Sequence, residues 1–191
     1  MQPNWRADSL AELGDIIWAT LVRACEPPAA PWRLPALATT SMAGPQVRTV
    51  VLREAIPAAR SLVAWTDVRS PKVRELRHDP KAQWLFHDPA NGLQLRAITT
   101  VRIHHDDEVA RAAWATVPAG NRANYQSVHA PGAGIARPIS GGNPVAAGPA
   151  QFVALVATVQ ELDWLWLDLG GHRRARLRWS DGSWTGDWLV P

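Results

Sequence analysis

Short apolar runs recur along this chain, each closed by turn-forming residues: "ALATTS" (36–41), "QVRTVVLR" (46–53), "RSLVAWT" (60–66), "AQWLFH" (82–87) and "LQLRAITTVRIHH" (93–105). Ala43-Gly44-Pro45 and Pro89-Ala90-Asn91-Gly92 punctuate them, and after residue 150 come "FVALVATVQELDWLWLDL", "RRARLRWS" and "SWTGDWLV", joined by Gly170-Gly171 and Asp181-Gly182. Spaced runs rich in Val, Thr and Trp between such turns predict antiparallel strands. Helical spacing is confined to a few places. Leu10, Leu13, Ile16, Ile17, Leu21 and Ala24 predict a helix over 8–25, capped by Asp8 or Ser9. Shorter helices are expected at 70–77 and 106–117, with a helical turn in "NRANYQSV". The fold expected is mainly β with peripheral helices (α+β), an antiparallel barrel and not a doubly wound sheet. With no internal repeat, residues 1–191 are expected to form one domain, its barrel spanning about 35–191. The Gly- and Pro-rich stretch 129–150 is too long for an ordinary connection and reads as a functional or mobile loop.

Charge and cysteine content narrow the function classes. A net charge of +3 is mildly basic, with the one dense basic run at "HRRARLR". Cys25 is the only cysteine, so an intramolecular disulfide and a cysteine zinc site are excluded, and a reducing compartment is expected. No stretch is apolar for long enough to span a membrane, and the N-terminal residues do not have the pattern of a signal peptide. A cytoplasmic protein with no membrane association is the expectation.

Residues 65–72, "WTDVRSPK", hold the most informative local chemistry. Ser70 suits an N-cap and Pro71 the first helical position. The unpaired N–H groups of a helix start attract anions, yet Arg69 and Lys72 crowd this one with cations. Either both side chains splay into water, or the stretch is half of an anion socket; these residues alone leave the two readings level. In the preceding strand, alternation puts Arg48, Val50 and Leu52 on one face and Val47, Thr49, Val51 and Arg53 on the other. An inward Arg48 needs a partner, which makes it a candidate for the same anion.

Taken in order, "RTVVLR", "WTDVRSPK", "LQLR", "WLWLDLGGHRRARLRW" and the ending "SWTGDWLVP" resemble the pyridoxamine 5'-phosphate oxidase-related FMN-binding family. That resemblance implies an antiparallel split β-barrel with FMN at the interface of a homodimer. It implies that Arg48 and Lys72, assisted by Thr66 and Ser70, hold the FMN phosphate. Thr49, Val50, Val51 and Leu52 would line the isoalloxazine with their backbone, Trp65 would stand beside Thr66, and Gln94 would hydrogen-bond the ring. Gln126 and Ser127 resemble a pair that reaches the cofactor, and Trp166 and Arg176 match C-terminal contacts. The activity implied is hydride transfer through flavin N5, from an amine, alcohol or nicotinamide donor. No side chain stands out as catalytic.

The substrate positions depart from the family pattern. Arg53 replaces an expected Lys, His172 stands where a substrate-binding Arg is expected, and Arg174 occupies the place of a His. The helix at 106–117 lacks the Tyr-Arg-Ser set of the oxidase, with Arg122 a partial substitute. Arg and Lys differ in geometry, so the small-molecule substrate is left open, with pyridoxamine or pyridoxine 5'-phosphate among the candidates that the resemblance implies. Two rivals remain: a non-catalytic flavin or haem carrier or sensor, and a nucleic-acid binder using "HRRARLR". His104-His105-Asp106-Asp107 reads as an exposed strand end rather than a metal site, because alternation sends the two imidazoles to opposite faces.

Overall fold

The computed structural model describes residues 5–26, 30–138 and 149–191. Helix α1 (Leu10–Ala24) is capped by Ser9, whose hydroxyl accepts the Glu12 N–H. Leu13, Ile17 and Leu21 form its fully buried stripe, each worth about 1.5–3 kcal/mol of burial. Strands β1 (Ala36–Ser41) and β2 (Gly44–Thr49) form a hairpin. They are followed by β3 (Glu54–Ile56), β4 (Ser61–Asp67) and α2 (Pro71–His78). Next come β5 (Lys81–Asp88), β6 (Leu93–His104), α3 (Glu108–Thr116) and the single turn α4 (Ala119–Arg122). Strands β7 (Phe152–Trp166), β8 (Arg173–Ser180) and β9 (Ser183–Leu189) close the chain. Asp181 and Gly182 both adopt positive φ, 52° and 81°, which gives the tight β8–β9 hairpin its twist.

The sheet is antiparallel and open, in the order β2-β1-β5-β6-β7-β4-β3, with β8 and β9 branching from β7. The branch arises because β7 is long. Its first half, Phe152–Thr158, pairs with β4, and its second half, Glu161–Trp166, pairs with β8, while β6 follows the other edge throughout. A bulge at Gln160 separates the halves, since Ile98 pairs with Glu161 but Thr99 pairs with Val159. Arg60 sits in the fork with φ 52°, receiving the Val159 N–H on its carbonyl at 2.7 Å and laying its guanidinium over Trp179. The main core lies between α1 and the inner face of the sheet, around Leu37, Trp84, Phe86, Leu95, Leu162 and Trp164. A second, smaller core on the opposite face packs α3 over Phe152, with Val117, Tyr125, Trp65 and Trp114.

The expected strands and helices are present, with three adjustments. "QVRTVVLR" does not run as one strand: β2 ends at Thr49, and the Val50 and Leu52 N–H groups bond the carbonyls of Pro35 and Arg33. Pro35 has no N–H, so the regular ladder stops there. β7 ends at Trp166, so Asp168 does not extend the Trp164–Trp166 strand face but pairs with Arg6 at 2.8 Å. His104 is not an exposed strand end; it is buried, with Nδ1 2.8 Å from Asp107 Oδ2. The centre of the Gly/Pro-rich stretch, 139–148, lies outside the described residues. No helix among the described residues is long and apolar enough to cross a membrane.

Candidate functional site

Where β4 runs into α2, the chain gathers cations and hydroxyls on the inner side of the sheet. Thr66 faces inward, opposite Val153, and is buried. Ser70 precedes α2 in extended conformation, yet its hydroxyl makes no capping bond. That corrects the expected N-cap: Ser70 Oγ lies 3.2 Å from Thr66 Oγ1 instead, and the residue is fully buried. Lys72 Nζ reaches back over the helix start to donate to both hydroxyls, at 3.1 and 3.4 Å. No carboxylate among the described residues lies within ion-pairing distance of Lys72. Burial, then the positive charge of Arg48, push the Lys72 ammonium below its usual range, against weaker support from Glu75 and Asp67.

Arg48 faces inward as the alternation requires, and its partners are a carboxylate and a hydroxyl of the same cluster. Arg48 Nη2 donates to Glu75 Oε2 at 2.7 Å, and Nη1 donates to Thr39 Oγ1 and, at 3.4 Å, to the Leu37 carbonyl. Thr39 in turn donates to Glu75 at 2.5 Å. Glu75 and Thr39 were not anticipated, although Glu75 stands three residues after Lys72, on the same face of α2. A half-buried ammonium with only hydroxyl partners, an uncapped helix start and a guanidinium alongside suit a doubly charged phosphate. The residues present therefore fit the phosphate end of FMN.

Arg69 does not join them. Its guanidinium grips Asp67 with Nε at 3.0 Å and Nη2 at 2.7 Å, and donates to the carbonyls of Ser127, Val128 and His129 and to the Gln151 side chain. Asp67 is buried and its paired oxygens face Arg69, which explains why this cation is withdrawn from the helix start. The same bonds bring Gln126 and Ser127 beside the end of β4, where the Ser127 carbonyl accepts from Arg69 and its hydroxyl from the His129 N–H.

The other expected contacts fall into separate places. Trp65 points to the outer face, opposite to Thr66, and packs edge-on against Phe152 with the Arg53 guanidinium 4.6 Å over its ring. Arg122 lies over Trp114 and donates to the Val117 carbonyl. His172 is exposed in the β7–β8 turn. Arg174 chelates Asp163 at 3.0 and 2.9 Å. Arg53, Arg122, His172 and Arg174 thus do not converge within one chain.

Gln94, Arg174 and Arg176 share the outer face of the β6–β7–β8 region, in the cross-strand rows Gln94–Leu165–Arg174 and Arg96–Asp163–Arg176. Asp163 is buried there between Arg96 and Arg174. Burial raises its pKa, but hydrogen bonds from the two arginines outweigh this and hold it below the usual carboxylate range. Arg178 pairs with Glu161 at 2.8 Å, and Arg176 Nε stands 3.6 Å from the same carboxylate, buried without a hydrogen bond. Trp166, in register with Arg173, points to the inner face, under the Arg6 guanidinium. Trp166 and Arg176 therefore lie on opposite faces of the ribbon. Trp166 also stands thirteen positions along β7 from Val153, the partner of Thr66, which is about 40 Å of extended strand. The expected cofactor residues form two groups: Arg48, Thr66, Ser70 and Lys72 at one end of β7, and Gln94, Trp166 and Arg176 at the other.

Comparisons with known proteins bear on the fold. Residues 17–105 match the family model described as pyridoxamine 5'-phosphate oxidase, FMN-binding domain. A pyridoxamine 5'-phosphate oxidase-related, FMN-binding protein of Nostoc punctiforme PCC 73102 is similar over 100% of both chains, with a TM-score of 0.75 and 21% identity. PhzG of Burkholderia lata 383, solved with tetrahydrophenazine-1-carboxylic acid, is similar over 97% of this chain and 94% of its own, with a TM-score of 0.69 and 17% identity. A heme binding protein of Mycobacterium smegmatis reaches a TM-score of 0.50 at 18% identity over 81% of this chain and 57% of its own. No curated protein matches. The open, forked sheet is thus the split β-barrel of these proteins, and the resemblance read from "RTVVLR" and "WTDVRSPK" is borne out over residues 17–105, which match the family's FMN-binding domain.

Proposed function

We propose that this protein is an FMN-dependent oxidoreductase that works as a homodimer. The observation that carries the reading is Lys72: a half-buried ammonium with two hydroxyl partners, no ion pair among the described residues, and Arg48 alongside. Bound FMN would supply two-electron chemistry at its ring, and the chain's own work is to bind, orient and tune it. Lys72, Thr66 and Ser70 grip the phosphate. Glu75 holds the Arg48 guanidinium at the edge of that socket, so that it adds charge without collapsing onto Lys72. The backbone of Thr49, Val50, Val51 and Leu52, bent away from the ladder by the bonds to Pro35 and Arg33, forms the wall beside which the ring lies.

Dimerisation follows from length. Flavin mononucleotide is much shorter than the stretch of β7 between the Thr66 and Trp166 ends, so Gln94, Trp166 and Arg176 act on the flavin held by the other chain. Arg176, with its buried Nε lacking a hydrogen bond, is the cation placed to favour the reduced, anionic ring.

The test is the absorption spectrum of the purified protein, followed by titration with FMN. A flavin spectrum, or saturable FMN uptake weakened at least about tenfold by Lys72→Ala, supports the reading. A Soret band instead would mark a haem carrier, and a colourless protein that ignores added FMN would end the proposal. Reduction of the bound flavin by a donor screen under anaerobic conditions separates an enzyme from a carrier. Salt-sensitive nucleic-acid binding lost on replacing Arg174, Arg176 and Arg178 would instead mark the basic strand as its own site.

A further inference from the structure

A groove of about 510 Å³ runs between α3 and the outer face of β3, β4 and β7. Its walls are apolar: Val63, Val156 and Ala112 line it, and Ile56 and Val109 are 40% and 44% exposed, high values for such side chains. This volume suits a small organic molecule.

The polar groups in the groove have one property in common. His104 is only 9% exposed, and its Nδ1 is committed to Asp107 Oδ2. The Asp107 carboxyl is held below its usual range, first by the Ala110 N–H it caps, so it remains a carboxylate and can only accept. Nδ1 therefore carries the hydrogen, and Nε2, with no partner among the described residues, is the atom that a neutral ring offers as an acceptor. Thr116 spends its hydroxyl hydrogen on the Ala113 carbonyl at 2.8 Å, leaving its oxygen as an acceptor. Glu54 and Glu108 contribute carboxylates that make no ion pair among the described residues, and no Lys or Arg lines the groove. Apolar walls with only acceptors, two of them anionic, fit a ligand that only donates and is positively charged.

We propose that the α3 groove is a binding site for apolar primary or secondary amines in their ammonium form. Ammonium N–H groups are donated to His104 Nε2 and to the Glu54 and Glu108 carboxylates, and the hydrocarbon part lies against Val63, Val156 and Val109. Glu54 stands two residues after Leu52, the end of the segment 49–52 assigned to the flavin wall. As the substrate site of the oxidoreductase the groove rests on that reading and makes the substrate an amine without a phosphate; as a binding site it stands without it.

The experiment titrates the full chain at pH 7 with n-hexylamine, n-hexanol and n-hexanoate, which share one hydrocarbon body. Binding is read by protein-observed NMR or calorimetry, and FMN uptake is measured separately on the same samples. Hexylamine is expected to bind about tenfold or more tightly than hexanol, and hexanoate more weakly than either. Glu54→Gln with Glu108→Gln, both at exposed positions, should bring hexylamine down to the affinity of hexanol while FMN uptake is unchanged. Ala112→Trp should block all three ligands. Equal binding of the three probes, or no binding to folded protein, overturns the proposal. So does a shift from dimer to monomer on Ala112→Trp, which would identify a second copy of the chain as the occupant. A protein that binds hexylamine but no FMN would refute the flavin reading and leave this one standing.

Discussion

Lys72 Nζ lies 3.1 Å from Thr66 Oγ1, a contact that joins the first turn of α2 to the last turn-out of β4 and leaves the ammonium without a carboxylate among the described residues. Positive charge is stored there, half out of water, before any ligand arrives. The cost of storing it gives the first prediction.

With its pKa depressed by burial and by Arg48, Lys72 binds its proton less tightly in the folded chain than in the unfolded one. Between the lowered value and the ordinary lysine value the unfolded chain holds more protons, so the unliganded protein gains stability from this group as pH rises. Phosphate binding has the opposite sign, because it requires the ammonium. FMN affinity should therefore fall with rising pH, beginning below the usual lysine range, and Lys72→Ala should abolish that slope. Fluorescence titration of FMN from pH 7 to 10 checks both; a slope that survives in the variant would assign the titration to another group.

Arg69→Ala should destabilise the protein by about 2–3 kcal/mol, because it leaves the buried Asp67 carboxylate unpaired. It should also release both stems of the Gly/Pro-rich stretch, since the lost bonds run to Ser127, Val128, His129 and Gln151. Faster proteolysis between residues 127 and 151, together with a lower denaturant midpoint, is the expected result. Arg69→Ala with Asp67→Ala should recover part of the stability but not the resistance to cleavage.

If the two ends of β7 serve different flavins, lesions at the two ends will complement. Lys72→Ala and Arg176→Ala dimers should each bind FMN poorly. A mixed dimer, isolated through two different tags, holds one doubly damaged site and one intact site. It should recover about half the flavin of the native dimer, counted by absorbance. No recovery would mean that the two residues act on the same flavin from one chain.

Cys25 is expected to be a sluggish thiol. Burial pushes its pKa up to about 11, against the nearby Arg33, and its Sγ donates to the Leu21 carbonyl at 3.3 Å. Alkylation at pH 8 should proceed far more slowly than for a free thiol and accelerate toward pH 11. Rapid modification at neutral pH would show that α1 opens readily at its C-terminal end.

Much of the architecture was legible because period-two alternation and turn residues are local signals. The runs at 36–41, 82–87 and 93–105 became strands, and Asp181-Gly182 marked its hairpin. The inward face of Arg48 followed from alternation alone. What the sequence could not display was competition for partners. Arg69 and Lys72 look equivalent in "WTDVRSPK", but a buried Asp67 claims the first and leaves the second. Ser70 looks like a cap until Thr66, four residues earlier, turns out to face it. Glu75, Thr39 and Asp163 entered as ordinary polar residues because their importance lies in cross-strand and helix-to-strand contacts. Likewise, spacing brought Trp166 and Arg176 close in sequence, while the hairpin register put them on opposite faces.

The two halves of β7 are offset from each other by a single residue. Before Gln160 the odd-numbered side chains of β7, Leu155, Ala157 and Val159, point into the core; after it the even-numbered Leu162 and Trp164 do. Gln160 thus acts as a phase marker between the part of the strand that serves the phosphate socket and the part that carries the β8 arginines. Pairing Gln160 as an ordinary ladder residue, with no bulge, would turn Glu161 and Asp163 into the core and Trp164 out of it. With this number of residues in β7, the bulge is what lets both halves keep their apolar side chains on the core side.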